Sequence, residues 1–72
     1  MKIVHRIVYE EDDIEMKCDP LREELFLDNN LVLEGDWYHD NISEQIQGFI
    51  KALDSLKLSY TLEINKCNEN YT

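Results

Sequence analysis

"NISEQIQGFIKALDSLK", residues 41–57, decides the fold. Ile42, Ile46, Phe49, Ile50, Leu53 and Leu56 recur at the three-to-four spacing of one helix face. Glu44, Gln45, Gln47, Lys51, Asp54 and Lys57 fall on the other side. The other patterned stretches alternate with period two. One amphipathic helix among short alternating runs predicts an α+β domain, a small antiparallel sheet with the helix packed across one face. Asp40 or Asn41 stands where a side chain can cap the helix start. Gly48 sits in mid-helix, where glycine costs about 1 kcal/mol against alanine. Two readings account for it: close packing on the sheet, or close approach of a partner.

The run "KIVHRIVYE", residues 2–10, is β-rich and apolar on both faces. Ile3, Ile7 and Tyr9 share one face with His5, and Val4 and Val8 share the other with Lys2 and Arg6, as in a central strand. The charged turn "EEDD", residues 10–13, leads into "IEMKCD", residues 14–19. There Ile14, Met16 and Cys18 alternate with Glu15, Lys17 and Asp19, which predicts a hairpin with an inward Cys18. Asp19-Pro20 ends that strand. In "ELFLDNNLVLEG", residues 24–35, the "DNN" segment predicts a tight turn between two more strands. Leu25 and Leu27 share one face of that hairpin, and Leu31 and Leu33 are expected to share one face of the partner strand. Beyond the helix, "YTLEIN", residues 60–65, alternates again and can pair with the first strand. The predicted order is β-β-β-β-α-β, about five strands. Residues 1–66 form one domain, and 67–72 form a polar tail.

Length and charge narrow the function. A chain of 72 residues buries only about 60% of its unfolded surface, which leaves little material for both a core and a deep cleft. The net charge is −9. Residues 1–44 hold 13 acids and 4 bases, a balance of −9, whereas residues 45–72 hold 3 of each. Such a surface disfavours direct binding to nucleic acid and to anionic membranes. It favours partners with basic surfaces. No stretch approaches the roughly 18 apolar residues of a spanning helix, and the opening residues do not read as a signal peptide. Two cysteines, Cys18 and Cys67, make no disulfide framework. A cytoplasmic protein with reduced thiols is the expectation.

Chemistry-bearing motifs are few. The soft ligands His5, His39, Cys18 and Cys67 lack metal-ligand spacing, and a helix start repels a cation beside Asp36, His39 and Asp40. Two glycines, Gly35 and Gly48, cannot build a nucleotide loop. No metal, no cofactor and no enzymatic activity are expected. Two clusters remain as partner-binding candidates: the carboxylates Glu10, Glu11, Asp12, Asp13 and Glu15, and the corner Asp36, Trp37, Tyr38 and His39. Glu15 and Asp19 on one strand face, with Glu23 and Glu24 beyond, would extend a negative array. Trp37 can plug the space under the helix, while Tyr38 is expected outward as a contact residue.

These features predict a small acidic interaction module that occludes a basic functional surface of a partner protein. Small acidic inhibitors of phage and mobile elements are the type it matches. Self-association through an edge strand or through the two-sided second hairpin fits so small a core. The alternative is a small-ligand binder whose pocket lies between subunits of a homo-oligomer.

Overall fold

The computed structural model describes residues 1–69. Strand β1 (Lys2–Tyr9) is followed by β2 (Arg22–Leu27), β3 (Asn30–Asp36), helix α1 (Ile42–Ser55) and β4 (Thr61–Asn68). The architecture is α+β, as the periodicities predict, but the sheet has four strands in the order β3-β2-β1-β4. It is mixed and not purely antiparallel. Strands β1, β2 and β3 pair antiparallel, whereas β4 pairs parallel with β1. The connection sets that direction: α1 carries the chain from one edge of the sheet to the other, and β4 enters running the same way as β3 and β1.

The expected strand at 14–19 does not form. Its place beside β1 is taken by β2 on one side and β4 on the other. Asp13 turns the segment into a loop, its carboxylate accepting the N–H groups of Lys17 (3.1 Å) and Cys18 (3.0 Å). Such side-chain bonds offer the backbone an alternative to a ladder. Met16 takes a left-handed φ of 56°. Ile14 is therefore 72% exposed and Cys18 is exposed, not inward.

The β2–β3 hairpin turns on Asp28 and Asn29, both with positive φ (48° and 71°), as a two-residue hairpin turn of the primed kind requires. Register then shifts between Leu25 and Phe26: Leu33 faces Leu25 and Leu31 faces Phe26. This bulge puts Leu33 toward the helix and Leu31 on the opposite face, where it is half exposed. The two leucines do not share a face.

Ile3, Leu25, Ile42, Ile46 and Leu53 form the core, flanked by Leu27, Leu33, Phe49, Ile50 and Tyr60. The helix stripe is used as its spacing predicts except at Leu56, which caps the C-terminus and is exposed. There Leu58 donates its N–H to the carbonyl of Leu53 (3.2 Å) and Lys57 to that of Asp54 (3.0 Å), a Schellman closure. Its left-handed position is Lys57, φ 57°, where glycine is usual. At the other end Asn41 is the N-cap, with no side-chain bond. Gly48 is exposed, and a Cβ there would meet nothing within 4 Å, so neither packing nor a neighbouring element explains it.

Strand β4 runs through Cys67 and Asn68, residues read from sequence as tail. Glu69 follows the strand, and residues 70–72 of the predicted tail lie outside the described residues.

Candidate functional site

Strand direction brings the two candidate clusters together. Because β3 and β4 both run with β1, three strands finish at one end of the sheet. Glu10 follows β1, Asp36 ends β3 and Glu69 follows β4. The 10–21 loop and the 36–41 corner therefore meet. Trp37 donates its N–H to the carbonyl of Leu21 (3.0 Å), and the Tyr38 hydroxyl donates to Asp19 Oδ2 (3.0 Å). The loop is also tied to β4, since Asn68 Nδ2 donates to the carbonyls of Glu10 (2.9 Å) and Asp13 (2.7 Å). Val8 and Tyr9, on opposite faces of β1, are both buried here, so the loop end is covered on both sides.

Two adjoining recesses open on this end. One, of about 560 Å³, is lined by Leu21, Arg22, Glu34, Gly35, Asp36, Asp40 and Glu69. The next shares Leu21 and Glu69 and adds Glu10, Glu11 and Asp12. Arg22 is the basic group in this furrow, 3.7 Å from Glu69. The accumulated negative charge is felt by Cys18, whose thiol is pushed above its ordinary value by Asp13 first, then by slight desolvation and by Glu10, Asp12 and Asp19.

The sequence candidates separate into two kinds. Glu10, Glu11 and Asp12 are exposed and line the furrow. Asp13 is half-buried and holds the loop together. Glu15 lies on the loop, not on a strand face, and pairs with Lys17 at 2.9 Å. The expected array along a strand is absent, because its strand is absent. Glu23, placed by sequence in that array, is 3% exposed beneath the helix; its Oε1 lies 2.6 Å from His5 Nε2.

At the corner, Asp36 Oδ1 accepts the N–H of Tyr38 (2.9 Å) and lies 3.2 Å from His39 Nδ1. The backbone bond from Tyr38, followed by His39, holds the Asp36 carboxyl below the usual range. Trp37 is half-buried and meets Tyr38 edge-on, ring centroids 5.0 Å apart at 82°. The pair occupies a turn and not an extended strand, so its rings touch instead of pointing to opposite sides. Tyr38 is 68% exposed, the outward placement expected of it, and Asp19 raises its hydroxyl pKa through their hydrogen bond.

Asp40 and Glu69 were missed as site residues. Asp40 Oδ2 accepts the N–H of Asp36 (2.7 Å), bracing the corner instead of capping the helix. No local spacing announces that role. Gly35 permits it: a Cβ there would stand 2.9 Å from Asp40 Cβ.

Among the described residues, no group of three His, Cys, Asp or Glu side chains could hold a metal ion. None of the described helices is long and apolar enough to cross a membrane. Compared with protein-family models, characterised proteins and solved structures, the chain matches none.

Proposed function

We propose that this protein is a small, non-enzymatic interaction module that binds a basic surface of another protein and occludes it. The observation that carries this reading is the convergence of the 10–13 carboxylate run and the Asp36–His39 corner on one end of the sheet, which sets an exposed aromatic beside the acids. Glu10, Glu11, Asp12, Glu34, Asp36, Asp40 and Glu69 line one furrow, and Tyr38 stands exposed on the 36–41 corner, its hydroxyl tied to Asp19 of the 10–21 loop. A concentrated negative surface steers encounter with a basic partner, and a tyrosine is a good anchor once contact is made. In this reading the partner is an Arg/Lys surface, including one that otherwise holds nucleic acid. The protein acts in the cytoplasm as an inhibitor or modulator of the phage and mobile-element type.

Capture of partners from the host lysate, identified by mass spectrometry, tests the proposal. The control is a variant with Glu10, Glu11 and Asp12 replaced by lysine. Asp13 is left in place because it holds the loop. The variant should lose the partner, and wild-type association should slow as salt rises. A partner captured equally by both, at a rate indifferent to salt, would exclude the acidic end as its site.

A ligand-binding reading has one observation in its favour. A recess of about 370 Å³ between α1 and β4 is lined by Ile46, Ile50 and Leu62, with His5, Ser43, Gln47 and Lys51 around it. Leu62 belongs to the edge strand β4, where a second subunit could close the recess.

A further inference from the structure

We propose that β4 is the interface of a symmetric homodimer, pairing antiparallel with β4 of a second copy in a register centred on Ile64. This goes beyond the partner-binding reading and leaves both acidic ends open.

The first argument is the choice of edge. The sheet has two, β3 and β4. Strand β3 carries the register shift and ends in Glu34 and Asp36; bulges and charges are the usual guards against pairing. Strand β4 follows β1 residue for residue from Thr61 to Asn68 with no shift. Among the described residues nothing pairs with its outer side.

The second argument is backbone direction. Thr61 donates its N–H to Met1 (2.9 Å) and Glu69 donates to Tyr9 (2.7 Å). Backbone groups alternate along a strand, so odd-numbered residues face β1. The N–H and C=O groups of Leu62, Ile64 and Lys66 point to the open edge. In the Ile64-centred register, Ile64 faces Ile64 of the other copy and Leu62 faces Lys66. Each is a pair that exchanges two hydrogen bonds.

The third is side-chain and charge complementarity. Leu62 is opposite Ile3 in the sheet, hence on the helix side, and so is Ile64. They are 46% and 56% exposed, and the partner strand would cover them. Glu63 faces Asn65, so no like charges stand opposite each other. Shifting the centre to Glu63 sets that carboxylate against itself, which is unfavourable; shifting it to Asn65 leaves no apolar pair, with Ile64 against Lys66 and Leu62 against Asn68, whereas the Ile64 centre keeps Ile64 against Ile64. Each copy carries −9, but residues 45–72 are charge-balanced. An antiparallel two-fold also sends the two acidic ends to opposite extremities of the pair.

Solution mass and amide exchange on the full chain test this. Wild type should sediment at twice 8.6 kDa, with the amides of Leu62, Ile64 and Lys66 protected from exchange. An Ile64→Lys variant, folded by circular dichroism, should run as a monomer. In it those three amides should exchange freely, while Glu63 and Asn65, bonded to β1, stay protected. A monomeric wild type, or a dimer in which those amides exchange freely, would overturn the proposal, as would a dimer that survives Ile64→Lys. The wild-type measurements decide the question even if the variant fails to fold.

Discussion

Glu23 Oε1 and His5 Nε2 lie 2.6 Å apart beneath α1, bridging β1 and β2, with the two side chains 4% and 17% exposed. The contact ties a buried carboxylate to the only imidazole within reach of the core. It stands diagonally across the register, where Ile7 faces Glu23 and His5 faces Leu25. A buried polar group left without its partner costs about 1–3 kcal/mol. Replacing both partners by apolar groups of similar shape is often close to neutral.

Glu23→Leu alone should therefore lower stability by about 1–3 kcal/mol, and His5→Leu should do likewise. The double variant should recover most of that loss. Urea denaturation of the four proteins measures the coupling. Additive losses would mean that the two groups act separately.

The glycines offer a contrast in sign. Gly48→Ala meets open space on a helix and should stabilise by about 1 kcal/mol. Gly35→Ala forces a Cβ to 2.9 Å from that of Asp40. It should destabilise by about 1–3 kcal/mol, the ordinary scale of overpacking. Lys57→Gly relieves a left-handed side chain at the helix end and should stabilise by about 1 kcal/mol. Thermal or urea unfolding reads all three, and a stabilised Gly35→Ala would mean that the corner is free to move.

Asp36 predicts a pH effect. Its folded carboxyl is held low, first by the Tyr38 N–H and then by His39. A depressed carboxylate adds stability above its unfolded pKa of about 3.9, and that contribution is lost as pH falls through the folded value. Carboxyl-carbon NMR should find Asp36 titrating below the ordinary aspartate. His39→Ala should keep most of the depression, because the backbone bond remains. An ordinary titration in the wild type would show that the Tyr38 bond is not formed in solution.

The two candidate clusters were legible in the sequence one at a time. Glu10–Asp13 announces itself as a carboxylate run, and Asp36–His39 as aromatics at a corner. Their union was not legible, because it depends on β3 and β4 running with β1, and no residue near either cluster encodes that direction. Asp40 and Gly35 act on each other across the corner, a relation visible only once the chain has turned.

By itself the sequence determined the helix, the central strand β1 and the "DNN" hairpin. Each of these rests on a local cause: an apolar stripe at helical spacing, a two-sided β-rich run, and residues tolerant of left-handed backbone. Tertiary structure alone decided the fate of "IEMKCD" and of Glu23. The alternation of residues 14–19 is that of a strand, but a strand needs a free edge to join. With β2 and β4 on either side of β1, none was left beside it, and Asp13 closed the segment into a loop. Glu23 reads as one more surface carboxylate until the register of β2 turns it under the helix toward His5. Strand pairing is a contest among distant segments for the same hydrogen bonds, and local pattern names the contestants without naming the winner.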